Sequence, residues 1–142
     1  MSKWIFWMVA LTLFLAFSSP PLLKADEASE GKALETAKKW LTLIDKGEYG
    51  KSWEAAAGYF KWAVAENQWE QALSAVRAPL GKVISRKVKS KQYATSLPGA
   101  PDGEYVVIQF ETSFEKKKSA VETITPMKEK DGTWRVSGYF IK

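Results

Sequence analysis

Near Gly81 the spacing of apolar residues changes from a helical period to an alternating one, so helices come first in this chain and strands follow. Upstream, Ala33, Ala37, Trp40, Leu41 and Ile44 lie on one helical stripe, predicting a helix from Gly31 to Asp45. Lys38, Lys39 and Lys46 suit the carboxyl end of its dipole, and Gly47 suits a left-handed cap. A second helix is expected from Glu48 to Ala65, burying Tyr49, Trp53, Ala56, Phe60 and Val64, with propensity from Ala55, Ala56 and Ala57. Asn67 with Glu70 resembles a capping box, predicting a third helix that carries Trp69, Leu73 and Val76 to a stop at Pro79 and Gly81.

Downstream, residues 82–96 are rich in β-branched and aromatic side chains broken by Lys and Arg, as in a strand with one wet face. The stretch Leu97 to Gly103 is the strongest loop signal. Glu104 to Phe114 makes the second strand, with Val106, Ile108, Phe110, Thr112 and Phe114 on one face. Lys116, Lys117 and Lys118 predict a hairpin tip, Ala120 to Lys128 a third strand, and Asp131-Gly132 a tight turn of the primed type. Thr133 to Ile141 closes the chain, with Trp134, Val136, Gly138 and Phe140 expected on a single face. The order predicts an α+β fold: three helices packed on a curved four-stranded antiparallel sheet.

Residues 1–25 read as a secretory signal peptide. Lys3 precedes an uncharged run, Trp4 to Phe17, that falls short of the roughly 20 residues a membrane span needs. Ser18, Ser19, Pro20 and Pro21 follow it, and Ala25 suits cleavage; an uncleaved anchor is the alternative. The expected product is a single domain, residues 26–142, periplasmic or secreted, with no stable membrane span. Losing Lys3 and Lys24 leaves 19 basic and 16 acidic side chains. The resulting charge of +3 is too small to point to nucleic acid. The 142 residues contain no His and no Cys, which removes common metal ligands, thiol nucleophiles and the usual triad base. No cofactor is expected.

Several pieces occur in order along nearly the whole of residues 26–142: Trp40-Leu41 to Asp45, Gly47, Tyr49, Ser52-Trp53, Arg77, Pro79-Leu80-Gly81 and Ser85-Arg86. Leu97 to Tyr105, Glu122, Gly132, Trp134-Arg135 and Gly138-Tyr139-Phe140 continue the series. In these the chain resembles an uncharacterised bacterial family, domain of unknown function 4019. That resemblance implies a small exported bacterial protein and carries no activity. The element order is also similar to the nuclear-transport-factor-2-like (cystatin-like) cone, whose helices and curved sheet often enclose a pocket. This likeness is architectural, and function must come from a site.

Glu122 is the candidate acid/base: facing the helix layer among aromatics, beside Arg86 or Arg135, it would suit a small pocket enzyme of isomerase or hydrolase type. Facing outward, it would be a surface ion-pair partner. Arg77, Arg86 and Arg135 are the only arginines beside 18 lysines, and guanidinium favours bidentate carboxylate recognition. They suit a ligand anion or internal salt bridges. Trp40, Trp53, Trp69 and Trp134 read as core, whereas Trp62 lies off the stripe and is open to a partner. The Leu97–Gly103 loop suits recognition or a wide turn. Lys87, Lys89 and Lys91 alternate along the first strand and are expected on one face near the Lys116–Lys118 tip, as a basic strip touching anionic envelope polymers or lipid head groups or as edge protection. Tyr105, Val107, Tyr139 and Ile141 are expected to give the open sheet face an apolar patch able to pair two copies in a homodimer. The expectation is an exported binding or assembly module for a small ligand or an envelope protein, with the pocket enzyme as alternative.

Overall fold

A computed structural model of the chain describes residues 21–142. Most of the expected leader, residues 1–20, lies outside the described residues; its last five, from Pro21, form the start of a helix. The order is α1 (Pro21–Asp45), α2 (Tyr49–Glu54), α3 (Gly58–Ala63), α4 (Glu66–Val76), a 3-10 turn (Ala78–Leu80), β1 (Val83–Ala94), β2 (Glu104–Phe114), β3 (Lys117–Lys128) and β4 (Trp134–Ile141). The strands form one antiparallel meander in the order β1-β2-β3-β4, with the helices against one face. Among the described residues no helix is long and apolar enough to cross a membrane.

Ala33, Ala37, Trp40, Leu41 and Ile44 are all buried, so the α1 stripe is the helix layer's main contribution to the core. The helix begins ten residues before Gly31. Gly31 has open space around it, so its cost is limited to the propensity loss of about 1 kcal/mol that a glycine brings to a helix interior. The predicted second helix is two short ones. Ala57 leaves the helical conformation so that its N–H can reach the Val136 carbonyl of β4 at 2.8 Å, while the adjacent Gly58 N–H donates to Glu129 Oε1 at 2.6 Å. These contacts to the sheet override the alanine propensity. The expected capping box at Asn67 and Glu70 is also replaced. Ala65 is the cap residue, Gln68 Oε1 accepts its N–H at 3.2 Å, and Asn67 Oδ1 accepts the N–H of Gln68. Trp69 and Leu73 are buried, but Val76 is exposed.

Two indoles converge on Ser52. Trp40 Nε1 donates to its carbonyl at 2.8 Å and Trp69 Nε1 to its hydroxyl at 3.0 Å, which satisfies two donors that burial would otherwise strand. Phe60 meets Trp69 edge-on at 4.9 Å, and Trp40 meets Tyr139 of β4 at 5.4 Å. Aromatic packing therefore joins α1, α3 and α4 to the sheet.

The sheet carries four register shifts, and each corrects an alternation expected from period two alone. In β4, two residues (Ser137 and Gly138) stand opposite Thr125, so the strand changes face: Trp134 and Val136 are buried, Tyr139 and Ile141 continue inward, and Phe140 is exposed. In β1, Ile84 and Lys89 are the extra residues. Lys87 pairs with Glu111 on the outward side whereas Lys91 pairs with the buried Ile108, so the three lysines do not share one face. Between β2 and β3, Lys118 and Ser119 together oppose Ser113.

The tip of the β2–β3 hairpin is Glu115–Lys116, with Lys117 already in β3. The β3–β4 connection is not a primed turn. Gly132 alone has positive φ there, and the bonds Gly132 N–H to Glu129 O and Glu129 N–H to Thr133 O make a three-residue loop with glycine in the left-handed position. The expected outward apolar patch does not form either. Tyr139 points inward, and Tyr105 is covered by the Leu97–Gly103 loop, donating to the Pro101 carbonyl at 2.5 Å.

Gly81, where the period changes, has φ +77 and ψ −156, a region essentially reserved for glycine. A Cβ there would sit 3.0 Å from Glu115 Cβ. The close approach matters because Lys116 N–H bonds the Leu80 carbonyl and Glu115 N–H the Lys82 carbonyl, pinning the hairpin tip to the end of the helical half. Gly81→Ala is expected to cost about 2 kcal/mol in urea unfolding, through strain and the displaced tip; an unchanged midpoint would refute the assignment.

Candidate functional site

Four elements deliver charged groups to one place on the inward face. Asp45 is the last residue of α1, Arg77 caps α4, Arg86 lies on β1 and Glu122 on β3. Register does the rest: Arg86 stands opposite Thr112, and Glu122 opposite Ile141, within reach of Tyr139 two residues before it. Thr112 is a polar residue between Phe110 and Phe114 on the buried face of β2, and its hydroxyl donates to Glu122 Oε1 at 2.6 Å.

Glu122 is fully buried. Its Oε1 accepts from Arg86 Nε (2.7 Å) and Thr112; its Oε2 accepts from Arg86 NH2 (3.3 Å) and from the Tyr139 hydroxyl. Arg86 grips Asp45 in parallel, NH1 to Oδ2 at 2.8 Å and NH2 to Oδ1 at 2.9 Å. This is the fork geometry that guanidinium provides and ammonium does not. Arg77 NH2 reaches Asp45 Oδ1 at 3.3 Å, its NH1 donates to the Gly81 carbonyl at 2.6 Å, and its guanidinium lies 4.6 Å from the centre of the Phe114 ring. Two guanidiniums face two carboxylates, so the formal charges cancel within the cluster.

Burial works against the charge of Arg86, but its hydrogen bonds to Asp45 and Glu122 outweigh that effect and hold it protonated, above its ordinary range. Burial also raises Tyr139, and the neighbouring Glu122 carboxylate adds to the rise. The hydroxyl is thus a permanent donor. A carboxylate has about four acceptor positions, and on Glu122 all four are filled by protein donors. It has neither a free lone pair nor exposed surface.

The structure brings Arg77, Arg86 and Glu122 together. The outward orientation of Glu122 is corrected, since Ala120, Glu122, Ile124 and Pro126 form the buried face of β3. Arg135 belongs elsewhere. It pairs with Glu129 and Asp131 at the β3–β4 loop, where Glu129 raises it, and Asp131 is lowered chiefly by the Thr133 N–H. Trp62 is 83% exposed on α3 and stacks on Tyr59, whose hydroxyl donates to the Gly99 carbonyl at 2.8 Å. The 97–103 loop is therefore tied both to α3 and to Tyr105. Asp45, Thr112 and Tyr139 were missed as cluster members. The one local signal was the polar Thr112 in an otherwise apolar face. Among the described residues no group of three or more acidic, His or Cys side chains could hold a metal ion.

The family described as Protein of unknown function (DUF4019) matches residues 36–139, and the chain belongs to that family. Comparison with curated proteins gives no match. The matched span includes every member of the ionic cluster, from Asp45 to Tyr139.

Removing one partner of a buried ion pair costs about 3–5 kcal/mol. Glu122→Gln also turns an amide donor toward donors, so thermal unfolding should fall by about 10 °C or more. A melting temperature unchanged within a few degrees would show that the carboxylate is not a structural partner. Tyr139 has a second readout. Its folded proton is held above the ordinary range, so its stabilisation is complete below about pH 10 and is lost as pH rises beyond that, where the unfolded chain releases the proton first. Tyr93 and Tyr105 are raised in the same sense, chiefly by burial. Tyr139→Phe should make the alkaline fall in urea midpoint shallower by about one proton's worth, ~1.4 kcal/mol per pH unit; an identical slope would contradict the burial of this hydroxyl.

Proposed function

We propose that this protein is an exported binding module of the bacterial envelope, built as a nuclear-transport-factor-2-like cone whose interior is closed by an ionic lock. The observation that carries this reading is the saturation of Glu122: in the place where a pocket enzyme of this architecture would keep its acid or base, the carboxylate is sealed and fully bonded. Recognition then belongs to exposed surface, namely the outward face of the sheet and the Tyr59–Trp62 step on α3. Export rests on the composition of residues 1–25. A homodimer through the open sheet face has little support, because three of the four residues expected to form its patch do not face outward: Tyr105 lies under the 97–103 loop, and Tyr139 and Ile141 turn inward.

A thermal-shift screen of soluble envelope metabolites against the protein, purified from the extracytoplasmic fraction of a bacterial host, tests the reading. A ligand at a hundred times its Kd adds about 2.7 kcal/mol, so a binder should raise melting by several degrees and be recovered unchanged. Chemical conversion of the compound, lost in Glu122→Asp, would restore the enzyme reading; absence of the protein from that fraction would remove the export reading.

A further inference from the structure

Along the outward side of the sheet a groove of about 570 Å³ runs across β1, β2 and β3, lined also by Arg86 and Thr112 of the ionic cluster. Its principal polar side chains are Ser85, Lys87, Lys89, Ser113, Lys118 and Ser119. Three of the sheet's four register shifts flank it: Ile84 and Lys89 are the extra residues of β1, and Lys118 and Ser119 share one partner, Ser113. Bulges bend the strand and re-aim the side chains at the extra positions, and they concentrate at sites where a side chain must leave the regular alternation. Here two of the residues so placed are lysines, one from each strand flanking β2.

The one acidic side chain in the groove is Glu111, whose carboxylate lies 3.2 Å from Lys87 Nζ, with both side chains largely exposed. An exposed pair of this kind is worth little, so an incoming anion displaces Glu111 from Lys87 at small cost. Lys87 and Lys89 stand two residues apart on β1, and the register sets Lys118, two strands away, beyond Lys87 on the side away from Lys89; the three backbone positions span roughly 14 Å along the strands by 10 Å across them, a gap that long lysine side chains narrow. Volumes of about 300–1,000 Å³ suit small ligands. Serine hydroxyls among the lysines can both donate and accept, which matches oxyanions rather than apolar groups.

We infer that this groove binds a small molecule carrying two or more oxyanion groups, of the phosphate or polycarboxylate kind, held by Lys87, Lys89 and Lys118. The inference deepens the binding-module reading and rests on it. Glu111 then acts as a built-in competitor that tunes the affinity.

Calorimetric titration of the full protein with tripolyphosphate and, separately, with citrate tests the site and distinguishes the two chemistries. One of them should bind at a single site, weakening as salt is raised. The paired substitution Lys89→Ala and Lys118→Ala should weaken it at least tenfold, while Glu111→Gln should tighten it several-fold, since the repulsion and the competition both vanish. Lys38→Ala with Lys39→Ala, on the helix layer, should change nothing. Equal weakening by the two lysine pairs would reduce the effect to diffuse net charge and overturn the site, as would weaker binding by Glu111→Gln. If neither anion binds while the metabolite screen yields a neutral ligand, the groove assignment falls and the binding-module reading stands; if the screen also yields nothing, both fall.

Discussion

Arg86 is the residue through which the two halves of this chain are joined. Its guanidinium spans from the last residue of α1 to the middle of β3, making two bonds to Asp45 and two to Glu122. The separations are 41 residues to one partner and 36 to the other, so no local propensity supports either contact. A lysine would meet only part of this demand, because a single ammonium cannot present parallel donors to two carboxylates in different directions. Glu122 and Arg77 are buried, Arg86 partly so, and Asp45 stays at the surface; burying charge is not a strong source of stability in itself. What the cluster supplies is mutual dependence: the buried charges are acceptable only while Arg86 and Asp45 compensate them.

Bending of the sheet makes that cluster possible. The extra residue at Ser137–Gly138 turns Tyr139 inward, where its hydroxyl completes the shell around Glu122 and its ring packs on Trp40. The same device on β1 and β3 works on the opposite side and opens a concavity to solvent. One sheet thus has an inner face whose buried carboxylate is fully bonded and an outer face that carries exposed lysines.

Much of this architecture was legible in the sequence. The α1 stripe is buried residue for residue, and β2 runs over the predicted span, because both follow uninterrupted periods. Bulges were invisible, since one additional residue in a strand has no compositional mark, and the face assignments of Tyr139 and Lys91, each beyond a bulge, were therefore inverted. The division of α2 from α3 escaped notice for a related reason: Ala55 to Ala57 favour helix, and only the distant Val136 carbonyl explains why they leave it. At the site, the scarcity of arginine pointed to Arg77 and Arg86, and the acidic residue in a β-rich stretch to Glu122. Their shared partner Asp45 looked like an ordinary helix end, because what makes it special is folded against it from elsewhere in the chain.

The position of Asp45 also divides α1 in a way that its continuous hydrogen bonding conceals. The carboxyl-terminal half, from Ala33, is buried along its stripe and clamped at its last residue. From Ala25 to Lys32 the described side chains are all exposed or only half-buried. Backbone amides of the two halves therefore belong to different cooperative units: the front of the helix can unwind turn by turn at little expense, whereas the rear opens only when the whole β-meander lets go.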